Sequence, residues 1–226
     1  MSIQAVIFDM DGLMLDTEPV YRMAWGRASA ACGYVMSEEV RLRLIGLTVV
    51  DSEQILLEEF GQGFSIATFR SFRHKFEPEA FEAYGIHKKT GLDELLALLT
   101  SRRIPKAVAT SASRARAVPL LKASRLLEQF DAVVTSDEVV SGKPSPDLFL
   151  LAAEKLRVAN SSCLVLEDAE TGILAAHRAA MQVYVVPDLK QPSPTILQLT
   201  HGSFFTLTEV ARHLERIWSD RSLAQF

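Results

Sequence analysis

The 226-residue chain is poor in cysteine: it has two, Cys32 and Cys163, far apart and outside any metal-type spacing. A disulfide scaffold and a cysteine-ligated metal are both excluded, and two buried, reduced thiols fit a reducing compartment, read here as cytoplasmic. No run reaches the ~18 apolar residues of a membrane span, so no membrane partner is expected. Basic charge is scarce as well. Lysine and arginine total 24 against 28 acids, a net charge of −4, which lacks the basic footprint of a nucleic-acid binder. The start has no basic region followed by a long apolar run, so no signal peptide is expected. Repeats and low-complexity segments are missing too. What remains is 48% hydrophobic and 23% charged residues, enough to build a sizeable core and to avoid disorder.

Four short apolar runs read as buried parallel strands: Ile3–Phe8, Lys106–Thr110, Cys163–Leu166 and Gln182–Val186, with a weaker fifth at Ala132–Thr135. Helical patterns separate them at Gly91–Ser101, Ala115–Leu127, Asp147–Leu156 and Ala169–Ala180. Strands alternating with helices of about ten residues predict βαβ units on a doubly wound, Rossmann-like parallel sheet, an α/β fold whose ligands bind at the carboxyl ends of the strands. The stretch from Thr17 to Tyr84 breaks the alternation. Its apolar residues (Tyr21, Ala24, Trp25, Ala28; Val40, Leu42, Leu44; Ile55, Leu56, Phe60; Phe69, Phe72, Phe76) recur at helix-type spacing, which predicts a helical insertion after the first strand with hinges near Gly12 and Tyr84–Gly91. Beyond Pro187 an edge strand at Ser203–Thr206 and a closing helix at Thr208–Trp218 are expected.

Each strand ends in polar groups. Asp9, Asp11 and Gly12 follow the first, Ser111, Ala112 and Ser113 the second, and Glu167 with Asp168 the CLVL run; Lys143 sits in the loop SGKPSPD, Ser141 to Asp147. Singly these are ordinary turns and helix caps. Parallel strands place their C-terminal ends at one edge, however, so residues more than a hundred positions apart meet in one crevice. Like charges there cost about 4 kcal/mol per pair at ~4 Å and an effective dielectric near ~20, and a cation must offset this. Oxygen ligands alone suit a hard divalent ion such as Mg²⁺. Lys143 and the Ser111 hydroxyl could then hold an anionic group, and a phosphate fits.

With these residues in view the chain resembles the haloacid dehalogenase superfamily of phosphohydrolases. The likeness is carried by FDMDG (Phe8–Gly12), ATSAS (Ala109–Ser113), GKPSPD (Gly142–Asp147) and LEDAETGI (Leu166–Ile173). DMDGLMLDTEP followed by a helical stretch is similar to the subgroup with a small helical cap, which holds sugar-phosphate and nucleotide-type phosphatases and beta-phosphoglucomutase. The resemblance implies a core domain of residues 1–16 and 85–226, a cap of residues 17–84 acting as a lid, and a Mg²⁺ cofactor. It implies Asp9 as nucleophile, forming an aspartyl-phosphate, and Asp11 as general acid–base and carbonyl ligand of the metal. Asp168 and Glu167 would complete the metal ligands, Ser111 and the Ala112 amide would hold the phosphoryl group, Lys143 would orient Asp9 and neutralise charge, and Gly12 would let the backbone approach. A break at Gly46, Leu47 and Thr48 would face the crevice. The expected partner is a small phosphorylated substrate, a sugar phosphate or nucleotide-like monophosphate, acted on by a monomer. Tyr21 stands where the mutase has a histidine and Val49 where it has a basic clamp, so hydrolysis is favoured over a mutase. A phospho-accepting signalling domain is the rival from another class, opposed by the insertion and by Asp11. The dehalogenase branch, which uses the same aspartate on carbon without a metal, is opposed by the Glu167–Asp168 pair.

Overall fold

The computed structural model describes residues 3–44, 47 and 49–223, with backbone alone at 49, 50 and 220–223. The loop positions Gly46 and Thr48 and the side chain of Val49 lie outside the described residues. In chain order, β1 (Ala5–Phe8) is followed by α1 (Glu18–Ala31), α2 (Glu38–Leu44), α3 (Val49–Phe60) and α4 (Ile66–Tyr84). Then come α5 (Leu92–Ser101), β2 (Lys106–Ala109), α6 (Arg114–Ala123), β3 (Ala132–Val134), α7 (Asp147–Leu156), β4 (Cys163–Glu167), α8 (Glu170–Arg178), β5 (Gln182–Val185), α9 (Pro194–Leu197), β6 (Gly202–Ser203) and α10 (Leu207–Leu223). The contacts divide the chain into two compact units, Met1–Leu15 with Lys88–Phe226, and Asp16–His87.

The first unit is an α/β fold on a six-stranded sheet of order β3-β2-β1-β4-β5-β6 in which every pairing is parallel. β1 is the switch point: the chain lays β2 and β3 on one side and β4 to β6 on the other, and such a point opens a crevice at the strand C-termini. All residues of β1, β2 and β4 are buried. That is why these strands read as continuous apolar runs instead of alternating ones. Helices α7 and α8 bury Leu148, Phe149, Ala152, Ile173 and Ala176 against Ile7, Ala107 and Val165. Cys163 is buried and Cys32 half-buried; both are free thiols, and burial pushes the Cys163 thiol up to about 11.

Three details differ from the sequence pattern. The helix expected over Ala115–Leu127 is α6 followed by a separate 3-10 turn, Leu127–Gln129; Arg125 takes a φ of 58° and breaks the helix between them. The edge strand is Gly202–Ser203 instead of Ser203–Thr206, because the register sets Tyr184 against Gly202 and Val185 against Ser203. A Cβ on Gly202 would lie 2.8 Å from the Phe204 ring. Helix α9 carried no recognisable pattern at only four residues.

The second unit is helical and has a core of its own. Trp25 packs edge-on to Phe69 at 5.5 Å, and Tyr34, Phe60 and Phe64 form an adjoining ring cluster. Ser65 caps α4 by accepting from the Thr68 amide, and Gly85, at φ +76°, ends the helix where a positive φ is required. Ala24, Ala28, Val40, Leu56 and Phe69 are buried as the helical spacing implies, whereas Leu42 is 52% exposed. Two residues along a helix is about 200° of rotation, so Leu42 cannot share a face with Val40.

Candidate active site

β1 delivers Asp9 to the edge of the sheet: its amide donates to the Leu166 carbonyl at 3.0 Å, extending the β1–β4 pairing one residue past Phe8. Glu167 is the last residue of β4, and Asp168 opens the turn into α8. Carboxylate oxygens of Asp9, Glu167 and Asp168 lie within 4.8 Å of one another. Lys143 reaches in from the loop before α7; its Nζ donates to Asp9 Oδ1 at 2.5 Å and to Glu167 Oε1 at 2.6 Å, and stands 4.9 Å from the Phe149 ring centre. Asp9, Lys143 and Glu167 are buried, at 7%, 5% and 1% exposure, so this is a charge cluster out of water. The loop is held by Arg178, which donates to the Pro144 carbonyl at 2.7 Å.

Glu167 is gripped on both sides. Its Oε2 accepts from the amides of Asp168 (3.0 Å) and Ala169 (3.2 Å), so Glu167 ties down the turn that leads into α8, a helix without a side-chain cap. A Cβ on Gly172 would sit 1.7 Å from Glu167 Oε1, which explains the glycine inside that helix. Gly12 has a φ of +83°, and a Cβ there would lie 2.4 Å from Asp168 Oδ2; both backbone and space demand glycine.

Burial shapes the ionisation. It drives the Asp9 carboxyl up to about 7, against the attraction of Lys143 and with the Glu167 and Asp11 charges adding to the rise. Burial, followed by the Glu167 and Asp9 charges, also holds Asp168 well above the usual carboxylate range. Burial alone would lower the Lys143 ammonium, but the Asp9 and Glu167 carboxylates outweigh it and keep it above its ordinary value. Two of the three acids therefore share one lysine, Asp168 being outside its reach. The donor set is oxygen only, with neither cysteine nor histidine, and suits a hard divalent cation.

Asp11 lies two residues beyond Asp9, bridged to Leu15, and its Oδ1 accepts from Arg116 at 3.1 Å. Ser111 and Ala112 occupy the turn after β2, beside β1. The Ala112 amide, an expected phosphoryl donor, donates here to Thr110 Oγ1 at 3.0 Å. Ser113 caps α6 without a side-chain bond, while Asp137 Oδ2 accepts from the Arg114 amide at 2.7 Å. Thr110, Arg116 and the Lys89–Asp188 pair (2.6 Å) were not among the sequence candidates. Asp188 could have been found, as another acid just past a strand, and its charge contributes to raising Asp168. Arg116 could not, because nothing in the sequence points it at Asp11.

The family model described as haloacid dehalogenase-like hydrolase matches residues 6–186. The chain belongs to that family. It is 33% identical over 180 residues to a phosphorylated carbohydrates phosphatase of Thermotoga maritima, covering 80% of this chain and 83% of the relative. It is 35% identical over 176 residues to fructose-1-phosphate phosphatase YqaB of Escherichia coli, covering 78% and 92%. The crystal structure of beta-phosphoglucomutase from Clostridium difficile superposes with a TM-score of 0.78 over 98% of this chain and 99% of that one; at 21% identity it shares the fold. The four motif segments of this hydrolase lie inside the matched span, and no helix among the described residues is long and apolar enough to cross a membrane.

Proposed function

We propose that the protein is a Mg²⁺-dependent phosphatase of a small phosphorylated metabolite, a sugar phosphate or nucleotide-like monophosphate, working through an aspartyl-phosphate in the cytoplasm. The observation that carries the reading is the cluster of buried Asp9 and Glu167 with half-buried Asp168, in which Lys143 pairs with the first two. The sugar-phosphate phosphatases among the relatives support the substrate class.

Asp9 and Asp168, the Asp11 carbonyl and Glu167, directly or through water, would hold the metal. When bound, the ion supplies positive charge that keeps the buried carboxylates ionised and neutralises the phosphoryl oxygens. The chain's own residues do the rest. An ionised Asp9 oxygen attacks phosphorus while the bond to the leaving oxygen breaks, and Asp11 gives that oxygen a proton. Water then attacks the aspartyl-phosphate, Asp11 takes its proton, and Asp9 and inorganic phosphate are released. Lys143 fixes the Asp9 carboxylate and screens it from Glu167. Ser111 and the Ala112 amide hold the transferring group, and Gly12 keeps a side chain out of the space beside Asp168.

The test is phosphate release from a panel of metabolite monophosphates, with Mg²⁺ and with EDTA. Release from at least one sugar or nucleoside monophosphate, silenced by EDTA and restored by Mg²⁺, is expected. Activity indifferent to both would overturn the metal assignment. Conversion of a hexose 1-phosphate to the 6-phosphate without phosphate release would replace the hydrolase reading with that of a mutase.

A further inference from the structure

Arg116 has no part in the chemistry above, yet it touches the group proposed to carry the proton. It lies in the first turn of α6, and its Nη2 donates to Asp11 Oδ1 at 3.1 Å across 105 positions of sequence. Neither side chain is deeply buried, at 30% and 25% exposure, so the pair adds little to stability. Its place gives it another use. Asp11 has a short side chain, next to a cluster of carboxylates that repels it. Arg116, by contrast, stands on a fixed platform: Asp137 ties down the Arg114 amide, and the Ser136 amide donates to the Ala112 carbonyl at 3.1 Å.

We infer that Arg116 is a positioning residue that holds the Asp11 carboxyl beside the leaving oxygen and sets which of its atoms gives the proton. A guanidinium offers donors only. The oxygen it binds must remain an acceptor, so the transferable proton rides on Oδ2. As the phosphorus–oxygen bond breaks, its electron pair stays on the leaving oxygen and the Oδ2 proton moves onto it. The inference rests on the reading of Asp11 as general acid.

The leaving group tests it. The parameter kcat/KM covers the steps through leaving-group loss, and a sugar alkoxide needs a proton far more than p-nitrophenolate does. Arg116→Ala is expected to lower kcat/KM about tenfold or more for the fastest sugar phosphate of the panel, and by less than about threefold for p-nitrophenyl phosphate, since misplacing an acid forfeits part of its ~10²–10⁴-fold contribution. Arg116→Lys should restore part of the loss. Equal losses on both substrates would mark a merely structural residue, and no loss on either would remove the role; both overturn the inference. If the alanine variant fails to fold, Arg116→Gln carries the same comparison. Asp11→Asn separates the two claims. If it splits the substrates while the Arg116 variants do not, only the positioning role falls; if it leaves turnover normal, the assignment of Asp11 itself falls.

Discussion

In the helical unit, Glu53 is buried and both its carboxylate oxygens are met by Arg70, at 2.5 Å for the Nε contact. Arg41 likewise bridges Glu18, at 2.6 Å, and Glu38. At the sheet edge of the α/β unit, three carboxylates crowd within 4.8 Å and Lys143 bonds to two of them. Among the described residues the Asp168 carboxylate has no ion pair. Burying a charge beside a matched partner is a structural arrangement, whereas burying acids in excess of cations is costly and persists where a ligand supplies the missing charge. The contrast separates the matched Glu53 from the crowded acids at the sheet edge, which composition alone cannot tell apart.

The strongest way to break it is Asp9→Asn. The amide keeps the shape but loses the proposed nucleophile, so turnover should fall by about 10⁴-fold or more while circular dichroism stays native. Turnover near the parent rate would take Asp9 out of the chemistry and reduce its cluster to a charged patch.

A second experiment uses the proton balance. Asp9 sits at about 7 in the folded chain against 3.8 for an ordinary aspartate, and Asp168 is shifted the same way. A raised carboxyl favours the fold when protonated. That contribution is complete below about pH 4 and is lost as pH rises through about 7. The proposed Mg²⁺ site requires both groups ionised, so protons would compete with the ion. At a fixed Mg²⁺ concentration, the increase in Tm should be larger at pH 8 than at pH 5, with affinity about 100-fold weaker at the lower pH for Asp9 alone. An equal increase at both values would show that no proton leaves this cluster when the ion binds.

The smallest effect is expected in the helical unit. Glu53→Gln removes one side of the pair with Arg70 and should lower Tm by about 4 °C, leaving kcat/KM within about twofold. A large kinetic effect with unchanged Tm would mean the pair is not structural, and the comparison would need redrawing.

Much of this was legible in the residues. The strands were readable because their buried runs are short, apolar and punctuated by glycine and acids, and Asp9, Glu167 and Asp168 because a carboxylate past a buried strand is conspicuous. Leu42 was misjudged because apolar identity was weighed without its angular position. The split of α6 from the turn after it depends on a left-handed Arg125, which no propensity predicts. The Thr110 bond to the Ala112 amide was illegible because a threonine at a strand end has many acceptable partners.

The sequence by itself determined the alternating architecture, the helical insertion and the chemical character of the groups at the strand ends, since periodicity and residue type are local properties. Only the tertiary structure decided that Lys143 joins Asp9 to Glu167, that Gly172 leaves room for the Glu167 carboxylate, and that Arg116 reaches Asp11. Those pairings link residues between five and 134 positions apart, and which side chains meet over such spans is set by the order and register of the sheet.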